Sequence, residues 1–348
     1  MLKYKCNLLK IICIFIIAIF LFPTICIASE SIYTWSNNAK PLTETIPTNA
    51  TTSLSLNVGS AVLIEQNSGQ VLYNQNMHEK LRPASVTKVM TILLIMEAID
   101  SGKLSYTDKI PCSEKAAGMG GSQIWLDVRE ELTVDEMLKA ICVVSANDCT
   151  VAMAEYLAGS EEAFVNQMNA KAKELGMNDT TFKNCHGIDE DGHVTSAYDI
   201  ALMSRELLTK HPSITKYTTI YMDSLRDGKS SLVNTNKLVR NYKGATGLKT
   251  GSTSVALYNL SASATRNDLS LIAVIMKAPT SPIRFAEAQK LLDYGFNNFE
   301  YKKLANENDL IKEISVDKGI ENSVNAILEN DSGVLIQKGQ NKDIVQSV

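Results

Sequence analysis

A mixed α/β (α+β) fold, a sheet flanked by helices with a small β-rich unit appended, is what the chain predicts from three observations. β-prone runs stand near the start ("GSAVLIEQNSGQVLYNQN", residues 59–76) and again at 258–264 and 269–276. Helical periodicity dominates the stretch between them. Beyond Glu300 the composition turns to short, alternating, weakly apolar segments such as "GVLIQKG". With 348 residues, 45% of them hydrophobic, and a formal charge of -4, the chain can bury one large core or two moderate ones.

Taken in order, Lys3, Lys5 and Lys10 precede the apolar run "IICIFIIAIFLF", and Pro23 is followed by Cys26-Ile27-Ala28. This predicts a secretory signal peptide over residues 1–28. The alternative, an uncleaved anchor, would need about 20 unbroken apolar residues, more than the run supplies. Residues 29–56, rich in Ser, Thr and Asn, predict a flexible leader. A hairpin then turns at Asn67-Ser68-Gly69 and feeds the sheet. Pro83 suits a helix entrance, and Val89, Ile92, Leu93 and Met96 recur at helical spacing behind it. Further helices are predicted over 133–158 and 161–175, the second running into Gly176. A second hairpin turns at Thr265-Arg266-Asn267-Asp268, and a helix over 283–294 closes a domain spanning 57–300. Residues 301–348 form the small β-rich unit, short for an independent core.

Composition excludes several function classes. No long basic run is present to neutralise a phosphate backbone, which argues against nucleic acid as a partner. Of seven Cys, three leave with the signal peptide; Cys112, Cys142, Cys149 and Cys185 make no CxxC pair, and only four His are available. That argues against a disulfide framework and against a metal site. Cys142 and Cys149 read as small core residues. His186-Gly187 and the run 189–193 ("DEDGH"), like Met119-Gly120-Gly121-Ser122, read as loops near a cleft.

Three polar motifs carry chemistry. In "RPASVTKVM", Ser85 and Lys88 are three residues apart, which on a helix stacks both side chains on one face. A Ser hydroxyl needs a neighbour to take its proton, and a Lys can do so once burial and nearby cations depress its pKa. Alone, the pair reads first as an ordinary helix start with a capping Ser and a snorkelling Lys. Ser145-Ala146-Asn147 interrupts an apolar helix, where hydroxyl and amide groups are costly unless they line a cleft. Lys249-Thr250-Gly251, before the second hairpin, offers a cation, a hydroxyl donor and a position without a side chain where substrate backbone can approach.

In this order the three motifs resemble those of the serine D-alanyl-D-alanine carboxypeptidases, the low-molecular-mass penicillin-binding proteins. The resemblance covers residues 55–300 and extends to "LRPASVTKVMT", "FVNQMNAKAKELGMNDTTFKNCHGIDEDGHVTSAYDIALMSREL" and "RFAEAQKLLDYGF". It implies a penicillin-binding-protein/β-lactamase-like transpeptidase fold, an antiparallel sheet flanked by helices, followed by part of a small β-rich C-terminal domain. It also implies that Ser85 is acylated, that Lys88 is its base, and that Ser145 and Asn147 form the second motif. Lys249 would anchor charge beside the Ser, Thr250, Gly251, Ser252 and Arg284 would hold substrate, and the amides of Ser85 and Ser252 would form the oxyanion hole. Peptidoglycan stem peptides are then the substrate and β-lactam antibiotics acylating inhibitors, with no cofactor, at the outer face of the membrane or in the wall. This chain has Val255-Ala256-Leu257-Tyr258-Asn259 where the family has an Ala-Gly-Tyr-Cys-like stretch, and it stops without the amphipathic membrane-anchoring helix of many relatives, leaving membrane-surface association open. A class A-like β-lactamase would need a deacylating Glu on a Glu-x-Glu-Leu-Asn-like run, absent between Asn147 and Lys249. Transpeptidation or endopeptidation would use the same groups. A non-catalytic cell-wall binding protein would not require Ser85, Lys88, Asn147 and Lys249 together.

Overall fold

The computed structural model describes residues 54–329 and 332–339; the signal-peptide expectation and nearly all of the leader lie outside them. Leu54 to Leu56, assigned to the leader, instead lie on the folded domain. Tyr73 Oη donates to the Leu54 carbonyl at 3.1 Å, and Leu56 is buried.

The hairpin forms as β1 (Ser60–Glu65) and β2 (Val71–Gln75). Its turn is organised by the buried Glu65, whose carboxylate accepts from the Asn67 and Ser68 amides and from the Ser68 hydroxyl, while Gly69 takes a φ of 73°. The later β runs form β7 (Ala245–Thr253), β8 (Leu257–Arg266) and β9 (Leu269–Ala278), once the small hairpins β3 (Lys109–Pro111) with β4 (Glu131–Thr133) and β5 (Met222–Leu225) with β6 (Ser230–Val233) are counted. One antiparallel sheet results, in the order β2-β1-β9-β8-β7. The second hairpin therefore does rejoin the first, through β1 against β9.

Helix α1 (Lys88–Asp100) follows a single 3-10 turn at Ala84–Thr87, then come α2 (Val134–Val143), α3 (Asn147–Ala158), α4 (Glu161–Glu174), α5 (Ala197–Lys210) and α6 (Ser281–Asn298). α5 and α6 both pack on the sheet. α6 reaches it at Gly295, where an added Cβ would lie 2.5 Å from a Leu271 methyl. The helix expected over 133–158 is two helices. α2 starts in a capping box between Thr133 and Glu136 and ends at Val143, and Ser145, at φ 67°, turns the chain before α3 begins. Cys142 and Cys149 consequently sit on different helices; both are buried and free.

Beyond α6 the chain forms β10 (Phe299–Ala305), β11 (Leu310–Ser315), β12 (Ser323–Ile327) and β13 (Ser332–Gln337), paired as β10 with β13 and β11 with β12. Phe299 is buried against Tyr294 of α6, with ring centroids 6.1 Å apart. Among the described residues no helix is long and apolar enough to cross a membrane.

Candidate active site

The Ser85 turn is held in an unusual shape. Ala84, just before Ser85, has a φ of 48°, a left-handed value that costs an L-residue about 1 kcal/mol. Such strain persists only where surrounding contacts over-determine the backbone. Here Asn259, fully buried on β8, donates to the carbonyls of Arg82 (2.8 Å) and Pro83 (3.1 Å). Thr87 Oγ1 donates to the Ala84 carbonyl at 2.8 Å. On the outer side Gly187, at φ 94°, lies so close that a Cβ there would sit 1.9 Å from the Ala84 oxygen. The expectation that Ser85 caps a helix is corrected: it lies inside the 3-10 turn, and neither that turn nor α1 has a side-chain cap.

Lys88, fully buried at the start of α1, directs its ammonium at three oxygens: Ser85 Oγ at 3.0 Å, Asn147 Oδ1 at 2.6 Å and the His186 carbonyl at 2.6 Å. Burial, and next the charge of Lys249, hold its pKa well below the ordinary lysine value. A neutral amine keeps two N–H donors and one lone pair. With the Asn147 and His186 oxygens taking the donors, the lone pair is left for the Ser85 hydroxyl proton.

Ser145 and Asn147 occupy the break between α2 and α3. Asn147 is oriented by its other amide group, which donates to the Gly120 carbonyl at 2.7 Å, and by its backbone N–H, which donates to Ser122 at 2.7 Å. The loop expected at 119–122 is thus the wall that aims Asn147 at Lys88. Asp148, next in the chain, accepts from the Ile124 and Leu126 amides and holds the same loop from beneath. Ser145 Oγ is buried with no hydrogen-bond partner among the described residues. An unpaired buried hydroxyl in a left-handed residue beside a polar cluster points to a ligand group that completes it.

Lys249, Thr250 and Gly251, expected before the second hairpin, lie inside β7, which pairs with β8. Gly251 faces the Ser85 turn, and a Cβ there would fall 2.9 Å from the Ser85 amide nitrogen. This close approach requires glycine and places the exposed Ser252 one residue further along β7. Lys249 is buried and donates to the Thr250 carbonyl at 3.0 Å; desolvation brings its pKa down to about 7. Thr250 Oγ1 donates to Thr235 Oγ1 at 2.8 Å, and the Thr235 amide donates to Val143 at the end of α2, so β7 and the Ser145 break are tied together. Arg284 is not a helix-surface residue. Its buried guanidinium donates to the Gly251 and Asn259 carbonyls, at 3.2 and 3.1 Å, and to Ser281 Oγ, bracing β7 and β8.

The structure therefore gathers Ser85, Lys88, Asn147 and Gly251 into direct contact, with Lys249 close enough for its charge to act on Lys88. Sequence reasoning missed Asn259, Thr235, Glu161 and the carbonyl of His186. Glu161 is buried and accepts from the Cys185 amide (3.2 Å) and from Lys115 Nζ (2.6 Å), and lies 3.3 Å from the His186 ring, anchoring the loop that presents that carbonyl. A main-chain acceptor carries no side-chain signal, whereas Asn259 within a β run was a polar residue in need of a buried partner.

Comparison with known proteins matches this architecture. The family model for D-alanyl-D-alanine carboxypeptidase matches residues 47–280, and that for the C-terminal domain of penicillin-binding protein 5 matches residues 299–348. The D-alanyl-D-alanine carboxypeptidase DacF of Bacillus subtilis is 48% identical over 299 residues, 85% of this chain and 77% of that relative. Penicillin-binding protein 5 of Haemophilus influenzae superposes with a TM-score of 0.74 at 34% identity, covering 83% of this chain and 85% of that one. Penicillin-binding protein D2 of Listeria monocytogenes, solved in an ampicillin-bound form, gives a TM-score of 0.64 at 31% identity over 70% of this chain and 99% of that one. With a matched family model over most of its sheet-and-helix domain and a strained Ser turn facing a buried Lys, the chain belongs to the D-alanyl-D-alanine carboxypeptidase family, peptidase family S11.

Proposed function

We propose that the protein is a serine-type D-Ala-D-Ala carboxypeptidase that trims the terminal D-Ala from peptidoglycan stem peptides and is acylated by β-lactams. The observation that carries this is Lys88, buried, depressed in pKa and aimed at Ser85 by two fixed acceptors. Ser85 Oγ attacks the carbonyl of the penultimate D-Ala while its proton passes to Lys88. Negative charge on the carbonyl oxygen is met by the backbone amides of Ser85 and Ser252. The terminal carboxylate is held by Thr250 and Ser252, in a field made positive by Lys249 and Arg284. Collapse of the tetrahedral intermediate breaks the peptide C–N bond, and the proton taken up by Lys88 is relayed through the Ser145 hydroxyl to the departing amine of D-Ala. Water then adds to the Ser85 ester and releases the shortened peptide.

The basic and apolar start of the chain supports export, so the enzyme acts outside the membrane in wall maturation. The sheet-and-helix portion, residues 57–300, is the catalytic domain, and residues 301–348 belong to a β-rich C-terminal domain.

Intact-protein mass spectrometry after penicillin treatment tests the reading. One covalent adduct, mapped to Ser85 and absent in Ser85→Ala, together with D-Ala release from a stem-peptide substrate, is the expected result. No adduct and no D-Ala release would overturn it; fast turnover of the adduct would make the protein a β-lactamase.

A further inference from the structure

The loop after α4 touches the nucleophile turn at a second place that the proposed reaction does not use. His193 is buried, with its ring between two defined partners. The Lys183 amide donates to Nδ1 at 2.9 Å, and Nε2 lies 2.8 Å from Thr87 Oγ1. A backbone N–H can only donate, so Nδ1 is the unprotonated nitrogen and the neutral ring carries its proton on Nε2. Nε2–H then donates to Thr87, and the Thr87 hydroxyl gives its own proton to the Ala84 carbonyl. Each donor in the chain Lys183, His193, Thr87 finds one acceptor, and the chain ends on the left-handed residue preceding Ser85.

We propose that neutral, Nε2-protonated His193 is a positioning residue for acylation, fixing the Ala84 carbonyl through the Thr87 hydroxyl and so holding Ser85 in its attack geometry. This rests on the reading of Ser85 as nucleophile, which the adduct map tests separately.

The charged and titratable groups around the ring agree with a neutral state. Burial foremost, then His186 on the same loop and Arg82 from the segment before the turn, push His193 down to about 4. Arg82 is itself held on this loop by Asp191 and the Glu190 carbonyl, and Phe182 covers the ring with centroids 5.9 Å apart. A second proton would face the Lys183 N–H and break the chain at its first link.

The test is the rate of acylation by a fluorescent penicillin in Thr87→Val, Thr87→Ser and His193→Gln, each first shown folded by thermal unfolding. Loss of one buried hydrogen bond that sets reactive geometry predicts a fall of about tenfold in Thr87→Val and His193→Gln. Thr87→Ser, which keeps the hydroxyl, restores most of the rate. Nitrogen-15 NMR of the histidines in the wild-type protein should show His193 in the Nε2–H form. Folded Thr87→Val that acylates at the wild-type rate, Thr87→Ser as slow as Thr87→Val, or an Nδ1–H tautomer at His193 would each overturn the proposal. Should His193→Gln fail to fold, the Thr87 pair and the tautomer decide it alone.

Discussion

Lys88 and Lys249 are both buried; desolvation lowers the pKa of each, and the Lys249 charge lowers that of Lys88 further. The proposed acylation needs Lys88 neutral. Because the Lys249 charge lowers the Lys88 pKa, Lys249→Gln should let it rise, and the acid limb of the pH–rate profile for penicillin acylation should move to higher pH. A limb unmoved or moved to lower pH would show that Lys249 does not tune the base. Ser85→Ala should leave the fold intact while removing the adduct, since among the described residues the Ser85 side chain hydrogen-bonds Lys88 alone. At this scale the sequence was informative where chemistry rides on side chains: Ser85, Lys88, Asn147 and Lys249 stand out as polar groups beside apolar runs. It was silent on the His186 oxygen, and it could not tell that the Arg284 fork ends on the carbonyls of Gly251 and Asn259.

Between elements, the close approaches are made by glycine. Gly187→Ala would drive a methyl into the Ala84 carbonyl and force an L-residue to φ 94°. We expect a loss of roughly 2 kcal/mol or more in stability, read as a lower unfolding midpoint, with slower acylation per folded molecule. Gly102, also left-handed but with open space around it, is the control: its alanine variant should acylate normally. The period of apolar residues made the hairpins and α4 and α6 legible, with ends displaced by a few residues. It could not reveal the break at Ser145, because α2 and α3 are both apolar and no Gly or Pro stands between them; the left-handed turn is imposed by the cleft contacts of Asn147.

For the whole molecule, His186 and His193 both carry pKa values brought down to about 4, first by burial. Unfolding returns each ring to an ordinary 6.5, so the unfolded chain binds more protons between those values. Stability from these groups is therefore complete above about pH 6.5 and is lost as pH falls toward 4, at up to about 1.4 kcal/mol per pH unit for each ring. Denaturant unfolding of wild type and His193→Gln across that range checks the slope, which should be shallower in the variant. A chain ending at Asn298 should still be acylated, because Phe299 and Lys338 pack on the C-terminal end of α6; a variant that folds but takes no penicillin would contradict this.

The strand order also has a consequence in time. β1 finds its partner more than two hundred positions downstream, Ser60 opposite Met276. Until β9 is available, the first hairpin has no neighbour on its inner edge, and Gly251 and Asn259 have not arrived to close around Ser85. The surroundings of Ser85 are therefore incomplete until β8 has been made and β9 has docked between it and β1. Such distant closure is slow, so the site around Ser85 is assembled late in folding.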